Sequence, residues 1–244
     1  MALINKLTAI AEAIRSKTNT TEKMTLDEMP SAIEGIQSGV NTFKYAKTLK
    51  DIFKSAVFDV EEIVIDCTND LGNEIFSLES IFQGVKGLKK VVIKANMTKK
   101  AGNSNGFTMY NAFSQNELEV IDLSGVTALN PYNIGYLLYN SQNVREVIGE
   151  FDMSNTQNDV SNYAFLGASA LEEIRIKKET LFYSISFTSC SRLSDASRQS
   201  IIDGLGDLTG QTARTITFHK DIEAKLTEEQ KAQVTSKNWN LAFK

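Results

Sequence analysis

A short phrase recurs along the chain and constrains its fold more than any other sequence feature. In each copy an apolar pair precedes a few polar residues, then a Leu or Val, and then a β-branched run. The clearest copies span residues 82–93, 113–123 and 165–176, and weaker copies span residues 53–65 and 138–148. Such self-similarity is typical of stacked units, which share a core that no single unit could form. It directs the search for function toward surfaces.

The spacing of the copies indicates the class of repeat. The Leu or Val before each β-branched run lies at Val60, Leu88, Leu118, Val144 and Leu171, with Leu193 as a decayed sixth. Successive anchors are therefore 28, 30, 26, 27 and 22 residues apart. Leucine-rich repeats run about 20–29 residues, so the period fits with one mild excess. Because these gaps are too long for hairpins, we expect parallel strands joined by loop or helical crossovers.

Alternation within the β-branched runs predicts which side chains face the interior. The inward pairs are Ile63 and Ile65, Val91 and Ile93, Ile121 and Leu123, and Ile174 and Ile176. No unit can bury its pair alone, so neighbouring units are expected to share one elongated core. The residues expected on the opposite, exposed face are Val64, Val92, Asp122, Ile148, Arg175 and Thr217. That face is interpreted either as a solvated surface of mixed charge or as a ligand-binding concave face.

The first 39 residues follow a different pattern. Apolar residues recur there at helical spacing in two short stripes, which predict an N-terminal helical hairpin. The stripes consist of Leu3, Leu7, Ile10, Ile14, Leu26, Met29, Ile33 and Ile36. Helices of this size are marginal alone in water, so their stripes must be covered. We expect attachment to other proteins and homo-oligomerisation through this segment, with an N-terminal cap on the array as the alternative.

Residues 40–193 are predicted to be the repeat array, and residues 194–244 a closing α/β unit. The closing unit should contain a helix beginning at Ser194, a strand over residues 215–218, a helix beginning at the capping box Thr227–Gln230, and a strand over residues 239–243. A terminal unit must differ from the others, because the end of a stack would otherwise expose its core. The expected fold class is an α/β repeat: a leucine-rich-repeat solenoid with a parallel strand ladder.

Composition weighs against several classes of function. The 244 residues are 42% hydrophobic and carry a net charge of −4 without a tract of five or more Lys and Arg, so nucleic acid is not an expected partner. No apolar run approaches about 18 residues, so membrane insertion is not expected. The N-terminus lacks the pattern of a signal peptide, which favours synthesis in the bacterial cytoplasm. Cys67 and Cys190 lie far apart and are interpreted as buried free thiols.

Motifs that carry chemistry are scarce. His219 is the only histidine, and no GxSxG nucleophile motif accompanies it, so it is interpreted as a surface residue at a strand end. Neither a calcium loop nor a glycine-rich phosphate loop occurs, and no catalytic residue, metal or cofactor is predicted. A carboxylate pair for glycoside hydrolysis stays open, because its members can be far apart in the sequence.

Tyrosines recur in the loops of the array and are the candidate ligand-binding residues. They are Tyr110, Tyr132, Tyr136, Tyr139, Tyr163 and Tyr183. Stacked loops would bring several of them onto one edge. A tyrosine offers a flat apolar face and a hydroxyl, which suits sugar rings and protein interfaces. The alternative is that they cover the core between units.

The array resembles the BspA-like leucine-rich repeat family, in which an A-F or S-F pair precedes each unit. Such pairs occur at Ala112–Phe113, Ala164–Phe165 and Ser186–Phe187. The stretches at residues 7–18 and 26–36 are similar to the opening of many tail and baseplate proteins of phages that infect Gram-positive bacteria. The C-terminal phrases at residues 200–205 and 225–230 resemble prophage-encoded repeat proteins.

The resemblance implies a non-enzymatic structural protein of the virion, located at the tail tip or baseplate. It implies partners among other tail and baseplate proteins, and a repeat surface that recognises a glycan or protein of the bacterial surface. A bacterial adhesin or secreted effector with the same repeats is the first alternative. An enzyme that degrades envelope glycans is the second.

Overall fold

Two parallel sheets, formed by successive parts of the chain, organise the fold. The computed structural model describes residues 41–44, 51–68, 77–97, 107–157 and 163–244. The predicted N-terminal hairpin and its apolar stripes lie outside these residues.

Six strands form the first sheet, and their order in space is their order in the chain. They are β1 (Asn41–Lys44), β2 (Glu62–Asp66), β3 (Lys90–Asn96), β4 (Val120–Thr127), β5 (Glu146–Phe151) and β6 (Glu173–Ile176). Every hydrogen-bonded pair of neighbours is parallel. The expected α/β class and the parallel strand ladder are confirmed.

The alternation expected within these strands is observed. All eight side chains expected to face the interior are buried, with at most 3% of their surface exposed. Val64, Val92 and Asp122 lie in register on the opposite face and are half-buried. Burying one aliphatic side chain contributes about 1.5–3 kcal/mol, so each unit is held mainly by the core it shares with its neighbours.

Five-residue turn segments precede the strands and stack as regularly as the strands do. We define them as residues 51–55, 80–84, 111–115, 136–140 and 163–167. The amides of the first four donate to carbonyl oxygens of the following unit, as Phe53 does to Ile81 (3.1 Å) and Phe82 to Ala112 (2.8 Å). Phe113 does the same to Leu137 (3.0 Å). The turn segments therefore form a second hydrogen-bonded ladder opposite the sheet.

Phenylalanines at the centre of the turn segments form a stacked column in the core. The rings of Phe53 and Phe82 lie 5.3 Å apart, and those of Phe82 and Phe113 lie 5.8 Å apart. Leu138 takes the equivalent position in the next turn segment. Beyond it the column resumes at Phe165, whose ring stacks on that of Phe187 at 4.6 Å. Offset stacking at such distances adds about 0.5–1.5 kcal/mol per pair to the burial of the rings.

Gly149 does not prevent a strand in the unit anchored at Val144. Strand β5 forms across it, and its register with β6 shifts between Glu146 and Glu150. Gly149 has a φ of +127°, and a Cβ at this position would lie 3.2 Å from the Cβ of Leu123. The glycine thus accommodates a bulge within the strand.

Helix α1 (Asp195–Gly204) lies against β6, where a seventh strand would otherwise pair. The hydroxyl of Ser197 accepts a hydrogen bond from the amide of Ile174, and that of Ser200 accepts one from the amide of Ile176, both at 3.0 Å. These two serines satisfy amides that an open sheet edge would leave to water or to another chain.

The second sheet contains three parallel strands: β7 (Ile185–Phe187), β8 (Arg214–Phe218) and β9 (Trp239–Phe243). Helix α2 (Glu228–Ser236) precedes β9 and begins with the expected capping box, formed by Thr227 and Gln230. The helices expected to begin at Ser194 and Thr227 are confirmed, as are the last two strands. β7 was not predicted, because three residues are too few to display an alternating pattern.

Candidate binding surfaces

The exposed face of the six-stranded sheet, which we call the strand face, carries charges that pair between neighbouring units. Lys90 Nζ lies 3.0 Å from Glu62 Oε1, and Lys94 Nζ lies 3.9 Å from Asp66 Oδ2. Arg145 contacts Glu119 at 2.7 Å at the margin of this face. Exposed pairs of this kind contribute little stability, typically about 0–1 kcal/mol each. They do mean that many charges of the strand face already have partners.

An Asp-x-Ser/Thr turn lies at the end of β2, directly after β5, and within β4. The Asp66, Asp122 and Asp152 carboxylates each accept hydrogen bonds from the amide and the hydroxyl of the residue two positions later. Asp152 also accepts a hydrogen bond from Lys177 of the next unit at 2.8 Å. Partial burial opposes ionisation of Asp152, but the hydrogen bonds from Lys177 and Ser154 outweigh it and hold its pKa below the usual value.

Four of the six candidate tyrosines come together on or directly beside the turn segments, and we call this group the tyrosine cluster: Tyr110, Tyr136, Tyr139 and Tyr163. Tyr136 is at its centre. Its ring stacks on that of Tyr163, with centroids 5.3 Å apart and planes within 5°. Tyr110 and Tyr139 meet the same ring edge-on, at 5.7 and 5.3 Å. The cluster joins three consecutive units, as stacked loops were expected to do.

Tyr136 adopts an unusual backbone conformation. Its φ is +57°, in the left-handed region that bulky residues rarely occupy. The equivalent first residues of the three preceding turn segments also have positive φ, and they are Asp51, Ser80 and Asn111. Small polar residues tolerate this conformation because their side chains can hydrogen-bond locally. A tyrosine side chain cannot form such a local hydrogen bond, so Tyr136 differs from the residues at the equivalent positions of the preceding turn segments.

The other two candidate tyrosines lie apart from the cluster. Tyr183 lies under the guanidinium of Arg214, 5.5 Å from its ring centroid, beside a cleft of about 430 Å³. The cleft is lined by Phe182, Tyr183, Leu208, Gln211, Thr212 and Arg214. Tyr132 takes part in the backbone ladder between units, where its amide donates to Phe107 and its carbonyl accepts from Gln157.

The histidine and the two cysteines either make a structural contact or are buried in the core. His219 caps the short 3₁₀ segment Lys220–Lys225, and its Nδ1 accepts a hydrogen bond from the amide of Asp221 at 3.1 Å. Cys67 and Cys190 are buried and not joined in a disulfide, and burial raises the pKa of Cys190 to about 12. Within the described ranges, no group of three or more His, Cys, Asp or Glu is placed to hold a metal ion. None of the helices in those ranges has the length and apolar character needed to cross a bilayer.

The sequence singles out the tyrosines as candidate binding residues, but the cross-strand ion pairs were not predicted from it. The signal was present, because Glu62 and Lys90 are opposite charges separated by one repeat and placed at the same point of two strands.

Comparison of the chain with known protein families, curated proteins and solved structures finds no match.

Proposed function

We propose that this chain is a non-enzymatic phage tail or baseplate protein that presents a leucine-rich-repeat solenoid to the bacterial envelope. The observation that carries the proposal is the stacking of consecutive units: six parallel strands follow one another in chain order, with a matching ladder of turn segments. Stacks of this kind bury one shared core and leave long lateral surfaces for contact with other molecules.

The proposed location in a phage tail or baseplate rests on the sequence resemblance. The A-F and S-F pairs of the array lie in or next to the phenylalanine column, where Phe113, Phe165 and Phe187 are buried. The N-terminal segment, similar to the opening of tail and baseplate proteins, is the proposed means of attachment and oligomerisation through its apolar stripes. A protein of this type is made in the cytoplasm and becomes part of the virion.

Two lateral surfaces compete for the role of recognition surface, and we favour the tyrosine cluster. On the strand face, a ligand would have to displace ion pairs such as Lys90–Glu62 and separate charges that already satisfy one another. In the tyrosine cluster, Tyr163 exposes 48% of its surface, a large share for an aromatic residue. Exposed aromatic groups of this kind mark contact surfaces more often than scattered charges do.

Electron microscopy of particles from a phage that encodes this chain, labelled through a C-terminal tag, tests the proposal. Label at the tail tip or baseplate is the expected result. A variant with Leu7→Asp and Ile10→Asp should lose the label, because the charges disrupt the N-terminal stripe. Glu12→Ala, in the same segment but off the stripe, is the matched control and should keep it. Absence of label from wild-type particles, or label on the capsid, would contradict the proposal.

A further inference from the structure

We propose that the tyrosine cluster is a binding site for an uncharged glycan. The inference rests on the proposed role in host recognition and adds the chemical class of the ligand. Three observations carry it: the exposure of Tyr163, the absence of charged residues from the turn segments of the cluster, and the conformation of Tyr136.

The first observation is that the cluster offers aromatic surface and hydroxyls together. Tyr163 exposes 48% of its surface, and Leu166, in the same turn segment, exposes 36%. In the part of the chain that the structure describes, none of the four tyrosine hydroxyls has a hydrogen-bond partner. An apolar ring face packs against the C–H face of a sugar, while a free hydroxyl can bond the sugar's own hydroxyls.

The second observation concerns the turn segments of the cluster, which contain amide side chains and no charged ones. Gln115 and Asn140 are exposed, and Asn111 is half-buried, in the turn segments 111–115 and 136–140. Amides donate and accept at once, which matches the paired donors and acceptors of neutral sugar hydroxyls. Anionic polymers are bound through Arg and Lys, and the turn segments 111–115, 136–140 and 163–167 contain neither. The chemistry therefore favours a neutral glycan over a phosphate-rich one.

The third observation is that Tyr136 is not the residue that stability alone would select. A left-handed conformation is unfavourable for a residue without local compensation. Asn111 has the same role in the preceding unit with a φ of +59°, so asparagine fits this position of the fold. What tyrosine supplies and asparagine cannot is the central ring that Tyr110, Tyr139 and Tyr163 contact. The strained backbone at Tyr136 therefore accompanies an aromatic surface that an asparagine at this position could not form.

Titration calorimetry of the full chain with defined probes tests the inference. The probes are soluble neutral oligosaccharides of glucose, galactose and N-acetylglucosamine, with poly(glycerol phosphate) as the charged comparison. We expect at least one neutral oligosaccharide to bind and the phosphate polymer not to bind. Tyr163→Ala should weaken binding by about tenfold or more, as expected for loss of an aromatic anchor. Tyr183→Ala, a tyrosine outside the cluster, is the matched control and should bind normally.

A second variant and an NMR measurement test the glycan site independently of Tyr163→Ala. Tyr136→Asn should fold, because Asn111 occupies the same conformation, and it should also lose binding because the central ring is gone. In NMR spectra of the tyrosine rings, the neutral oligosaccharide should shift the signals of Tyr163 and Tyr139 and leave that of Tyr183 in place. The spectra locate the ligand even if a variant fails to fold.

The outcomes separate this inference from the proposed function. Failure of every neutral oligosaccharide to bind the wild-type chain, binding that is unchanged in folded Tyr163→Ala and Tyr136→Asn, or preference for the phosphate polymer would each overturn the glycan site. None of these results depends on where the chain is found in a particle. Conversely, glycan binding through the cluster by a chain that is absent from particles would sustain this inference and reject the tail function.

Discussion

The strand face and the turn side of the array are built from the same units but use their residues differently. On the strand face, charged side chains of adjacent strands neutralise one another, as Lys90 and Glu62 do. On the turn side, phenylalanines fill the core while tyrosines gather at the surface, and Tyr136 is held in a strained conformation. The strand face is explained by the stack itself, whereas the tyrosine cluster contains features that the stack does not require. That difference is the reason for proposing the turn side as the recognition surface.

The largest expected effect is on the turn side, in the phenylalanine column. Phe113→Ala should lower the free energy of unfolding by about 3–5 kcal/mol, because a buried ring that stacks on Phe82 is replaced by a cavity. Val64→Ala, at a half-buried position of the strand face, should cost about 1 kcal/mol or less. Urea unfolding of both variants measures the contrast. Equal losses would show that the two sides contribute alike to the stack.

A pair of glycines tests how closely neighbouring units approach one another. Gly87 and Gly210 share a φ of +78°, but a Cβ at Gly87 would collide with the carbonyl oxygen of Phe58, whereas one at Gly210 meets nothing within 4 Å. Gly87→Ala should therefore cost about 2–3 kcal/mol, and Gly210→Ala about 1 kcal/mol from the backbone conformation alone. Thermal unfolding of the two variants gives the difference. The same cost at both positions would mean that the units around Gly87 are not in contact.

The edge of the strand ladder gives a smaller effect. Ser197→Ala should cost about 1–2 kcal/mol, because the buried amide of Ile174 loses its acceptor. Ser236→Ala, on the exposed surface of α2, should stay within about 0.5 kcal/mol of the wild type. Hydrogen exchange should also accelerate at the Ile174 amide in Ser197→Ala. Unchanged protection there would indicate that α1 does not close the sheet edge.

The smallest expected effect concerns the charges at the margin of the sheet. The folded-state pKa of Asp152 is below its ordinary value of 3.8, so its contribution to stability is present above that pH and is lost as the pH falls through the folded pKa. Lys177→Met removes one of the hydrogen bonds that lower this pKa. Carboxyl NMR titration should then find the pKa of Asp152 raised, and the acid-side loss of stability should be slightly smaller. A pKa that does not move would mean that Ser154 alone holds it.

The sequence was sufficient for the strands because alternation is a local property. Ile63, Ile65, Val91 and Ile93 are apolar at every second position, and a shared core is the only way to cover such pairs in consecutive units. The bulge at Gly149 was not predicted, because it involves the approach of Leu123, a contact between units that no local pattern records. The closing of the sheet by Ser197 was missed for the same reason.

For the candidate site, the sequence was enough to predict that tyrosines form it, but only part of their arrangement could be predicted. Tyrosines in successive loops of a stack are expected to align, but which of them meet depends on loop lengths that vary from unit to unit. Tyr136 and Tyr163 meet because they occupy the same position of consecutive turn segments. Tyr132 takes part in the backbone ladder instead, and Tyr183 lies under Arg214. The left-handed conformation of Tyr136 follows from the repeated turn and is apparent only when the segments are compared.

The central claim is that consecutive units stack in register and thereby assemble the tyrosine cluster. Cross-peaks between tyrosine rings in a nuclear Overhauser spectrum of the full chain test it most directly, since the chain has only seven tyrosines and each signal can be assigned with a Tyr→Phe variant. The stack predicts cross-peaks from the Tyr136 ring to those of Tyr110, Tyr139 and Tyr163, with none to Tyr183. Absence of contact between the Tyr136 and Tyr163 rings in the folded chain would contradict both the stacking and the site.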